Sequence, residues 1–420
     1  MTENKEFNIA AAAGQAKTAS RVVAQLTTAE KNALLTDIAA AIADSKDFIL
    51  KENEKDISAG REKGLSDAML DRLLLTGQRI DDIADAIREI VALTDPVGDI
   101  GNLALRPNGM QVGKMAIPLG VIAMIYEARP NVTAEAAALC IKSGNAVILR
   151  GGSEAIHSNL ALAQCLHQVL QQHGISEDIV TVIPDTSRRV IEDLLKQSQS
   201  IDLVIPRGGE GLIRYVTENS RIPVIQHFKG VCHLFIDKYA DIQKGLDILV
   251  NGKTQKPSAC NALETLLVHQ DIAGTFLPKA AKALVPAGVK IHACELSRPY
   301  FSGAEAATDD DYYAEYLAQE IAVKVVDSFD GAIGHINEFT SDHTEVIVSQ
   351  DYSRAQQFIR RINSSVVMVN ASSRFSDGGQ LGLGSEIGIS TSKLHAYGPM
   401  GLKALTTEKF VVFGDGQIRD

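Results

Sequence analysis

Residues 120–152 read GVIAMIYEARPNVTAEAAALCIKSGNAVILRGG, and this stretch decides the fold. An apolar run at 120–126 leads into a polar segment and an Ala-rich helical stretch, and a second apolar run, AVILR, ends at Arg150. Continuous apolar runs without alternation are typical of strands buried on both faces. Two such runs joined by a helix form the strand–helix–strand unit of a parallel sheet. The stretch therefore predicts an α/β fold.

The same alternation of apolar runs and helical segments continues along the chain. In the first half the further runs are IVTVI at 179–183, IDLVI at 201–205, IPVI at 222–225 and VCHLFI at 231–236. A second series follows residue 256, with LETLLVH at 263–269, KIH at 290–292, VKVV at 323–326, VIVS at 346–349 and SVVMV at 365–369. We expect two parallel α/β domains, with helices covering both faces of each sheet.

The N-terminal region has a different pattern. Thr27 and Glu30 form a capping-box pattern at a helix start. Two apolar stripes at helical spacing follow, one of Leu34, Leu35, Ile38 and Ile42 and one of Ile80, Ile83, Ile87 and Ile90. Residues 99–118 instead carry apolar residues on both sides of an Asn-Gly pair, which predicts a hairpin. Pro107 would remove one ladder donor, so we expect this hairpin at an edge or protruding from the body.

Composition excludes several classes of function. The chain has 420 residues, which is longer than a single hydrophobic core usually supports, so we expect more than one domain. Its formal charge of -11 argues against non-specific binding to nucleic acid or to an anionic membrane. The N-terminus lacks the pattern of a secretory signal. Five cysteines without a CxxC pair indicate reduced thiols in a cytoplasmic protein. Because HExxH and GxSxG are also missing from the sequence, we expect neither a metal site nor a serine hydrolase.

One cysteine differs from the others in its surroundings. Cys260 lies in the polar segment KTQKPSACNALET, with Lys253 and Lys256 nearby. Positive charge or backbone N–H groups would favour the thiolate, which is the nucleophilic form. The other four cysteines lie in apolar patterns: Cys140, Cys165, Cys232 and Cys294. We therefore expect a catalytic role for Cys260 and structural roles for the rest.

Polar segments follow the predicted strands at the end where α/β proteins bind ligands. In YEARPNVT, at 126–133, Arg129 offers a fork for carboxylate or phosphate and Asn131 offers an amide donor. A surface arginine and a helix N-cap are the alternative for these two residues. At the end of AVILR, Arg150 is a candidate to pair with a cofactor phosphate, together with the hydroxyl of Ser153, although Arg150 can also simply end a strand.

The loop PRGGEG, at 206–211, joins a predicted strand to a predicted helix. Its glycines, Gly208 and Gly209, would let the backbone approach phosphate groups, with Arg207 beside them. A tight turn with Arg207 in solvent fits the sequence equally well, because the loop is not GxGxxG.

Taken in order, YEARPN, SGNAVILRGG, IPRGGEG and KTQKPSACNALET resemble the γ-glutamyl phosphate reductase family of the aldehyde dehydrogenase fold. NASSRF, LGLGSEIGIST and GPMGLKALTT extend the resemblance to the C-terminus, so it covers essentially the whole chain. The block at 326–347 is similar to the family signature. Within this block Phe339 departs from the expected His or Tyr, and Thr340 from Gly or Ser. In HAYGPM, Tyr397 stands where an Arg is expected.

The resemblance implies an architecture and a reaction. An NADP-binding domain would span 1–256, with an oligomerisation hairpin at 99–118, and a catalytic cysteine domain 257–395. Residues 396–420 would form a C-terminal return and oligomerisation tail. NADPH would reduce L-glutamyl 5-phosphate to L-glutamate 5-semialdehyde and phosphate through a Cys260 thioester, the second step of proline biosynthesis. The expected partners are a small-molecule substrate and further copies of the chain.

The resemblance also implies roles for individual residues. Asn131 and the Cys260 N–H would stabilise the oxyanion, and Glu320 would bind the nicotinamide ribose unless it is a solvent-exposed helix-end residue. Arg374 is a candidate for substrate binding. The segment VIQHFKG carries His227 where hydrolysing aldehyde dehydrogenases carry the Glu that activates water.

Three other functions remain open. A cysteine acyltransferase or thiol hydrolase would keep Cys260 without using nicotinamide, and a non-enzymatic binding module would have an unreactive Cys260. A dehydrogenase for another acyl phosphate or semialdehyde is the nearest rival.

Overall fold

In a computed structural model, which describes residues 7–419, the chain divides into two compact units. Unit 1 spans Met1–Gln226, Leu383–Gly388 and Met400–Asp420, and unit 2 spans His227–Gly382 and Ile389–Pro399. The expected parallel α/β fold is confirmed in both units. Within the described part of the chain, no helix is long and apolar enough to cross a membrane.

The expected domain boundary at 256/257 was wrong by thirty residues. The change of unit falls at Gln226/His227, because the strand Cys232–Ile236 pairs on both sides with strands of unit 2. Its apolar sequence resembles the preceding strands of unit 1, so local pattern did not reveal which sheet it joins. The expected single return at 396–420 is also corrected, since the chain enters unit 1 at Leu383–Gly388 and again at Met400.

Unit 1 surrounds a parallel sheet with helices. Its helices are Ile9–Val23 (α1), Thr28–Asp44 (α2), Lys46–Glu62 (α3), Asp67–Leu73 (α4), Gly77–Ala92 (α5), Asn131–Lys142 (α6), Ile156–Gln172 (α7), Arg188–Leu194 (α8) and Glu210–Asn219 (α9). Its strands are Ile100–Leu105 (β1), Gln111–Pro118 (β2), Val121–Tyr126 (β3), Ala146–Arg150 (β4), Val180–Val182 (β5), Leu203–Arg207 (β6) and, near the C-terminus, Thr406–Phe413 (β16). The parallel sheet has the order β5-β4-β3-β6.

The predicted elements of unit 1 are largely confirmed. The Thr27–Glu30 capping box is present at the start of α2, and the predicted apolar stripes of α2 and α5 are buried. The run at 222–225 is an exception, since it forms only an isolated bridge between Val224 and Val204. Pro223 lacks the N–H needed to extend this pairing.

The predicted hairpin is confirmed as part of a separate antiparallel sheet. Strand β2 pairs with β1 on one side and with β16 on the other, so β1 and β16 are both edge strands. Every residue of β1 is exposed.

Unit 2 contains a seven-stranded parallel sheet of order β10-β9-β11-β8-β7-β12-β13. Its strands are Cys232–Ile236 (β7), Leu263–His269 (β8), Lys290–Ala293 (β9), Glu305–Ala306 (β10), Glu320–Val326 (β11), Thr344–Val348 (β12) and Val366–Val369 (β13). Its helices are Ile242–Thr254 (α10), Gln270–Leu284 (α11), Asp309–Tyr312 (α12), Phe329–Phe339 (α13) and Tyr352–Arg361 (α14). Two short strands, Gly388–Ser390 (β14) and Gly398–Met400 (β15), precede β16.

Candidate active site

Cys260 lies in the loop between α10 and β8, just before the amino end of β8 in the unit 2 sheet. Its backbone is packed closely against the segment that leads into β7. A Cβ on Gly230 would lie 2.0 Å from the carbonyl oxygen of Cys260, and the Cys232 thiol donates to the same oxygen at 3.3 Å. Since only glycine permits this approach, Gly230 and Cys232 fix the position of the Cys260 backbone.

The imidazoles of His227 and His343 lie near the Cys260 thiol. One ligand atom each from His227, His343 and Cys260 lie within 4.8 Å of one another, and the two imidazole centroids are 4.9 Å apart. His343 is fully buried, and burial, together with His227, lowers its pKa to about 3. It is therefore neutral at physiological pH. Because the three residues are far apart in sequence, their spacing gave no sign that they meet.

The thiols differ in exposure. Cys260 is partly exposed, and burial raises the pKa of Cys140, Cys165 and Cys232. Buried thiols of this kind resist ionisation, as the sequence predicted for these three. Cys294 is also partly exposed, with its sulfur 3.2 Å from the Ser297 hydroxyl.

Lys253 does not supply the positive field that its sequence position led us to expect. The ammonium is fully buried, lies 2.6 Å from a Glu264 oxygen and donates to the Leu263 carbonyl at 2.8 Å. Burial raises the pKa of Glu264 to about 7 and lowers that of Lys253. The charge of Lys253 is therefore balanced by the carboxylate of Glu264, which no sequence motif marks as its partner.

The signature block forms a buried polar network beside β7. Glu345 accepts from the His233 backbone N–H at 3.1 Å, from the Thr340 hydroxyl and from the Ser364 hydroxyl at 3.1 Å. Thr340 thus keeps the hydroxyl that a serine would offer at this position.

The other two departures from the family pattern, Phe339 in the signature block and Tyr397 outside it, also have defined contacts. Phe339 packs against Tyr312, Tyr313 and His335. The Tyr397 hydroxyl donates to the Asn363 carbonyl at 2.5 Å.

The remaining predicted residues of unit 2 are Glu320 and Arg374. Glu320 begins β11 and contacts the side chains of His292 and Lys290, so it is not the solvent-exposed helix-end residue of the alternative. Arg374 donates from Nε to the Gln255 side chain at 2.7 Å. One terminal nitrogen of Arg374 is buried and has no hydrogen-bond partner among the described residues, so it retains a donor for a ligand.

In unit 1 the expected polar loops lie together at the carboxyl ends of the parallel strands. The Gly209 N–H donates to Glu127 at 3.0 Å, which joins the loop after β6 to the loop after β3. The Ala128 N–H donates to Glu154, which joins the loop after β3 to the loop after β4. Strands β4 and β6 flank β3, so this end of the sheet is the switch point at which open α/β sheets bind ligands.

The candidate phosphate-binding residues lie around this switch point. Arg150 is mostly buried and donates to the Thr186 carbonyl at 2.7 Å, while its Nε has no partner among the described residues. Ser153 is exposed in a 3-10 turn. A nitrogen of Arg207 lies 3.9 Å from Glu386.

Gly208 has little room for a side chain. An added Cβ would lie 2.6 Å from a Glu127 oxygen and 2.8 Å from the Leu212 side chain. A glycine is therefore needed at this turn, and the approach of phosphate groups to it stays a prediction.

Asn131 and Cys260, expected to share the oxyanion, lie in different units. The Asn131 amide donates to Glu135 at 3.0 Å. Asn131 is the first residue of α6, and the N-cap is Pro130, so the alternative N-cap role for Asn131 was wrong. Arg129 is exposed beside it. The oxyanion role stays a prediction.

Comparison with known proteins identifies close similarities. The profile described as "Aldehyde dehydrogenase family" matches residues 1–293. The chain is 78% identical over 415 residues to the gamma-glutamyl phosphate reductase of Colwellia psychrerythraea, covering 99% of each chain. The crystal structure of gamma-glutamyl phosphate reductase from Thermotoga maritima superposes with a TM-score of 0.97 at 41% identity, covering 99% of this chain and 100% of that one. An engineered glycolyl-CoA reductase with bound NADP+, 16% identical with a TM-score of 0.68 and covering 97% of this chain and 96% of that one, shares the fold.

Proposed function

The chain belongs to the aldehyde dehydrogenase family and to its γ-glutamyl phosphate reductase branch, and from this premise we propose that it reduces L-glutamyl 5-phosphate with NADPH, through a thioester on Cys260. The products are L-glutamate 5-semialdehyde and phosphate, in the second step of proline biosynthesis from glutamate. The observation that carries the proposal is the meeting of the partly exposed Cys260 thiol with two imidazoles in a chain this similar to the reductases.

The chemistry begins with the Cys260 thiol. We assign its proton to His227, which is the less buried of the two neighbouring imidazoles. The thiolate forms a bond to the γ-carbonyl carbon, and the bond from that carbon to the phosphate oxygen breaks. The acyl group is then a thioester, which accepts a hydride more readily than a carboxylate does.

The residues of unit 1 fit a nicotinamide dinucleotide. Gly208 packs too closely against Glu127 and Leu212 to carry a side chain, so its turn stays tight, and the buried Nε of Arg150 has no partner among the described residues. We assign the dinucleotide phosphates to Arg207, Gly208 and Gly209, and the 2′-phosphate to Arg150 and Ser153. NADPH, when bound, supplies the hydride that brings the thioester to the aldehyde level.

The second half of the reaction restores the thiolate. The oxyanion of the hemithioacetal is assigned to the Asn131 amide and the Cys260 backbone N–H, which donate to developing charge. Its collapse breaks the bond between carbon and sulfur and releases the aldehyde, leaving the thiolate beside the protonated His227. We assign the nicotinamide ribose to Glu320 and the substrate's charged groups to Arg129 and Arg374.

The proposal is tested in reverse, with L-glutamate 5-semialdehyde and NADP. A thioester beside His227, in the position where hydrolysing members carry a Glu, should wait for phosphate as its acceptor. NADP reduction should therefore require inorganic phosphate, and arsenate should replace it. Rapid phosphate-free reduction that yields free glutamate would instead make the enzyme a hydrolytic dehydrogenase. Activity with other semialdehydes but not this one would favour the rival substrate class.

We also propose that the enzyme acts in the cytoplasm as a homo-oligomer with small-molecule ligands. The antiparallel sheet supports the oligomer, because its two outer strands each present an unpaired edge among the described residues. Five free thiols support a reducing compartment.

A further inference from the structure

We propose that Cys260, His227 and His343 form a site for a borderline-soft divalent cation, Zn²⁺, which reversibly blocks the nucleophile. The sequence led us to expect no metal site, because the three residues follow none of the usual ligand spacings. The fold nevertheless gathers them, and this is a function separate from the turnover of substrate.

The geometry comes close to that of a zinc centre. The three ligand atoms lie within 4.8 Å of one another. A tetrahedral ion with bonds of about 2.3 Å to sulfur and about 2.0 Å to nitrogen holds its ligand atoms roughly 3.5 Å apart. Side-chain shifts on the order of 1 Å would complete the site. His227 and Cys260 are both only partly buried, so their side chains have room to make such shifts.

His343 has the surroundings of a metal ligand. Its Nδ1 lies 2.7 Å from the Thr344 hydroxyl, and that hydroxyl donates to Ser376 at 2.8 Å, which leaves the hydroxyl as an acceptor for Nδ1–H. Its Nε2 is buried and has no hydrogen-bond partner among the described residues. Metal-bound histidines commonly donate from the second nitrogen in this way, which fixes the tautomer and leaves the first nitrogen a lone pair. Coordination through Nε2 would satisfy a buried atom that otherwise has no partner.

The ligand set selects the class of cation. One thiolate with two imidazoles suits zinc and related borderline-soft ions, whereas magnesium and calcium prefer oxygen ligands. Three protein ligands leave a fourth position for water. On binding, the Cys260 thiol releases its proton to solvent and its sulfur lone pair goes to the metal, so that it can no longer attack a carbonyl. The inhibitory consequence rests on the proposed role of Cys260, but the binding does not.

The test is an optical titration of tag-free protein with Co²⁺, which replaces Zn²⁺ and reports its ligands. Wild-type protein should develop a thiolate-to-cobalt charge-transfer band that one equivalent of Zn²⁺ abolishes. Cys260→Ser should lose the band, and Cys294→Ser, which removes the other partly exposed thiol, should keep it. His227→Ala should weaken Zn²⁺ binding at least tenfold, while the partly exposed imidazole control His157→Ala should leave it unchanged.

His343→Ala tests the third ligand. Because His343 is buried, this variant can fail to fold, and in that case the result for His227→Ala decides whether the imidazoles bind the metal. A band that survives in Cys260→Ser, or equal Zn²⁺ affinity in wild type and Cys260→Ser, would overturn the site. Because the titration needs no substrate, its outcome is independent of the proposed reaction. If the binding holds, Zn²⁺ should block alkylation of Cys260 and a chelator should restore it. Alkylation at an undiminished rate in saturating Zn²⁺ would contradict the block.

Discussion

The Cys260 side chain is more exposed than Cys140, Cys165 and Cys232, and its thiol lies near two imidazoles, those of His227 and His343. If it is the nucleophile, Cys260→Ala should retain the fold and lose at least 99% of turnover, about 2.7 kcal/mol of transition-state stabilisation. Turnover is measured in both directions. Cys294→Ala is the matched control, since Cys294 is also partly exposed but sits beside Ser297. Activity above a tenth of wild type in Cys260→Ala would end the thioester mechanism.

Arg150 carries the prediction of cofactor selectivity at the residue scale. Its Nε is buried without a partner among the described residues, and a hydrogen bond from a charged donor to a 2′-phosphate contributes about 1.5–3 kcal/mol. Arg150→Ala should therefore weaken NADPH binding roughly tenfold or more while changing NADH binding little. Dissociation constants for both cofactors measure the effect. An unchanged ratio between them would assign the selectivity to another residue.

The sequence singles out individual residues only where a motif carries them. The setting of Cys260, which is polar and free of apolar periodicity, marked it as different. The sequence did not predict its neighbour His343, because that contact depends on β12 lying beside β7 in the sheet, and strand order is not visible in local pattern. The role of Lys253 was misjudged for the same reason, since its partner Glu264 is brought to it by packing.

At the scale of elements, one buried ion pair joins α10 to β8. Lys253 and Glu264 are both fully buried, and loss of one partner of such a pair destabilises by about 3–5 kcal/mol. The pKa of Glu264 is raised to about 7 from an ordinary value of 4.5. Between these values the folded state keeps a proton that the unfolded state has lost, so this group's contribution to stability falls as pH rises from 4.5 through 7.

Lys253→Met should therefore destabilise more at pH 8 than at pH 5. Without the ammonium, Glu264 is a buried carboxylate at pH 8, whereas at pH 5 it is protonated and neutral. Thermal midpoints at the two pH values measure the difference. Lys55→Met, which removes a half-exposed lysine from a surface pair with Glu52, should change little at either pH. Equal losses for Lys253→Met at both pH values would contradict the assignment.

The antiparallel sheet carries the prediction of assembly. Its edge strands expose several large apolar side chains, namely Ile100, Leu103, Leu105, Phe410, Val412 and Phe413. An exposed apolar strand edge pairs readily with another chain. We expect a homo-oligomer by light scattering, with Phe410→Glu shifting it to a smaller species and Thr407→Glu, exposed on the same strand, serving as the control. A fully active monomer at micromolar concentration would refute the assembly.

The strands and helices themselves were mostly predictable because periodicity reports burial. Fully apolar runs became strands buried on both faces, and stripes spaced by three and four became buried helix faces. The run at 222–225 failed because Pro223 removes a donor, a local effect that outweighs the apolar pattern. The Asn108-Gly109 turn predicted its hairpin correctly because the turn and its flanking strands agree.

For the whole molecule, the sequence predicted two parallel sheets but set the boundary too late. The run VCHLFI is as apolar as any strand of unit 1, and only its pairing with β8 and β12 assigns it to unit 2. The consequence for function is that the candidate phosphate-binding groups of the cofactor site and the reactive thiol lie in different units. Arg150 and Gly208 belong to unit 1, whereas Cys260 belongs to unit 2. Cofactor binding and thiol reactivity should therefore be separable by mutation.

Gly208→Val should weaken NADPH binding at least tenfold, because the added side chain would displace Glu127 and Leu212 and open the turn that is assigned to the phosphates. The alkylation rate of Cys260 without cofactor should stay at the wild-type value, since this thiol and its imidazoles lie in unit 2. Fluorescence titration of NADPH and peptide mapping after brief iodoacetamide treatment measure the two properties. Gly211→Ala is the control, because its added Cβ has no neighbour within 4 Å.

Cys260→Ala should show the reverse pattern, with NADPH bound and turnover lost. If Gly208→Val slowed alkylation as much as it weakened NADPH binding, the two functions would not divide between the units as proposed.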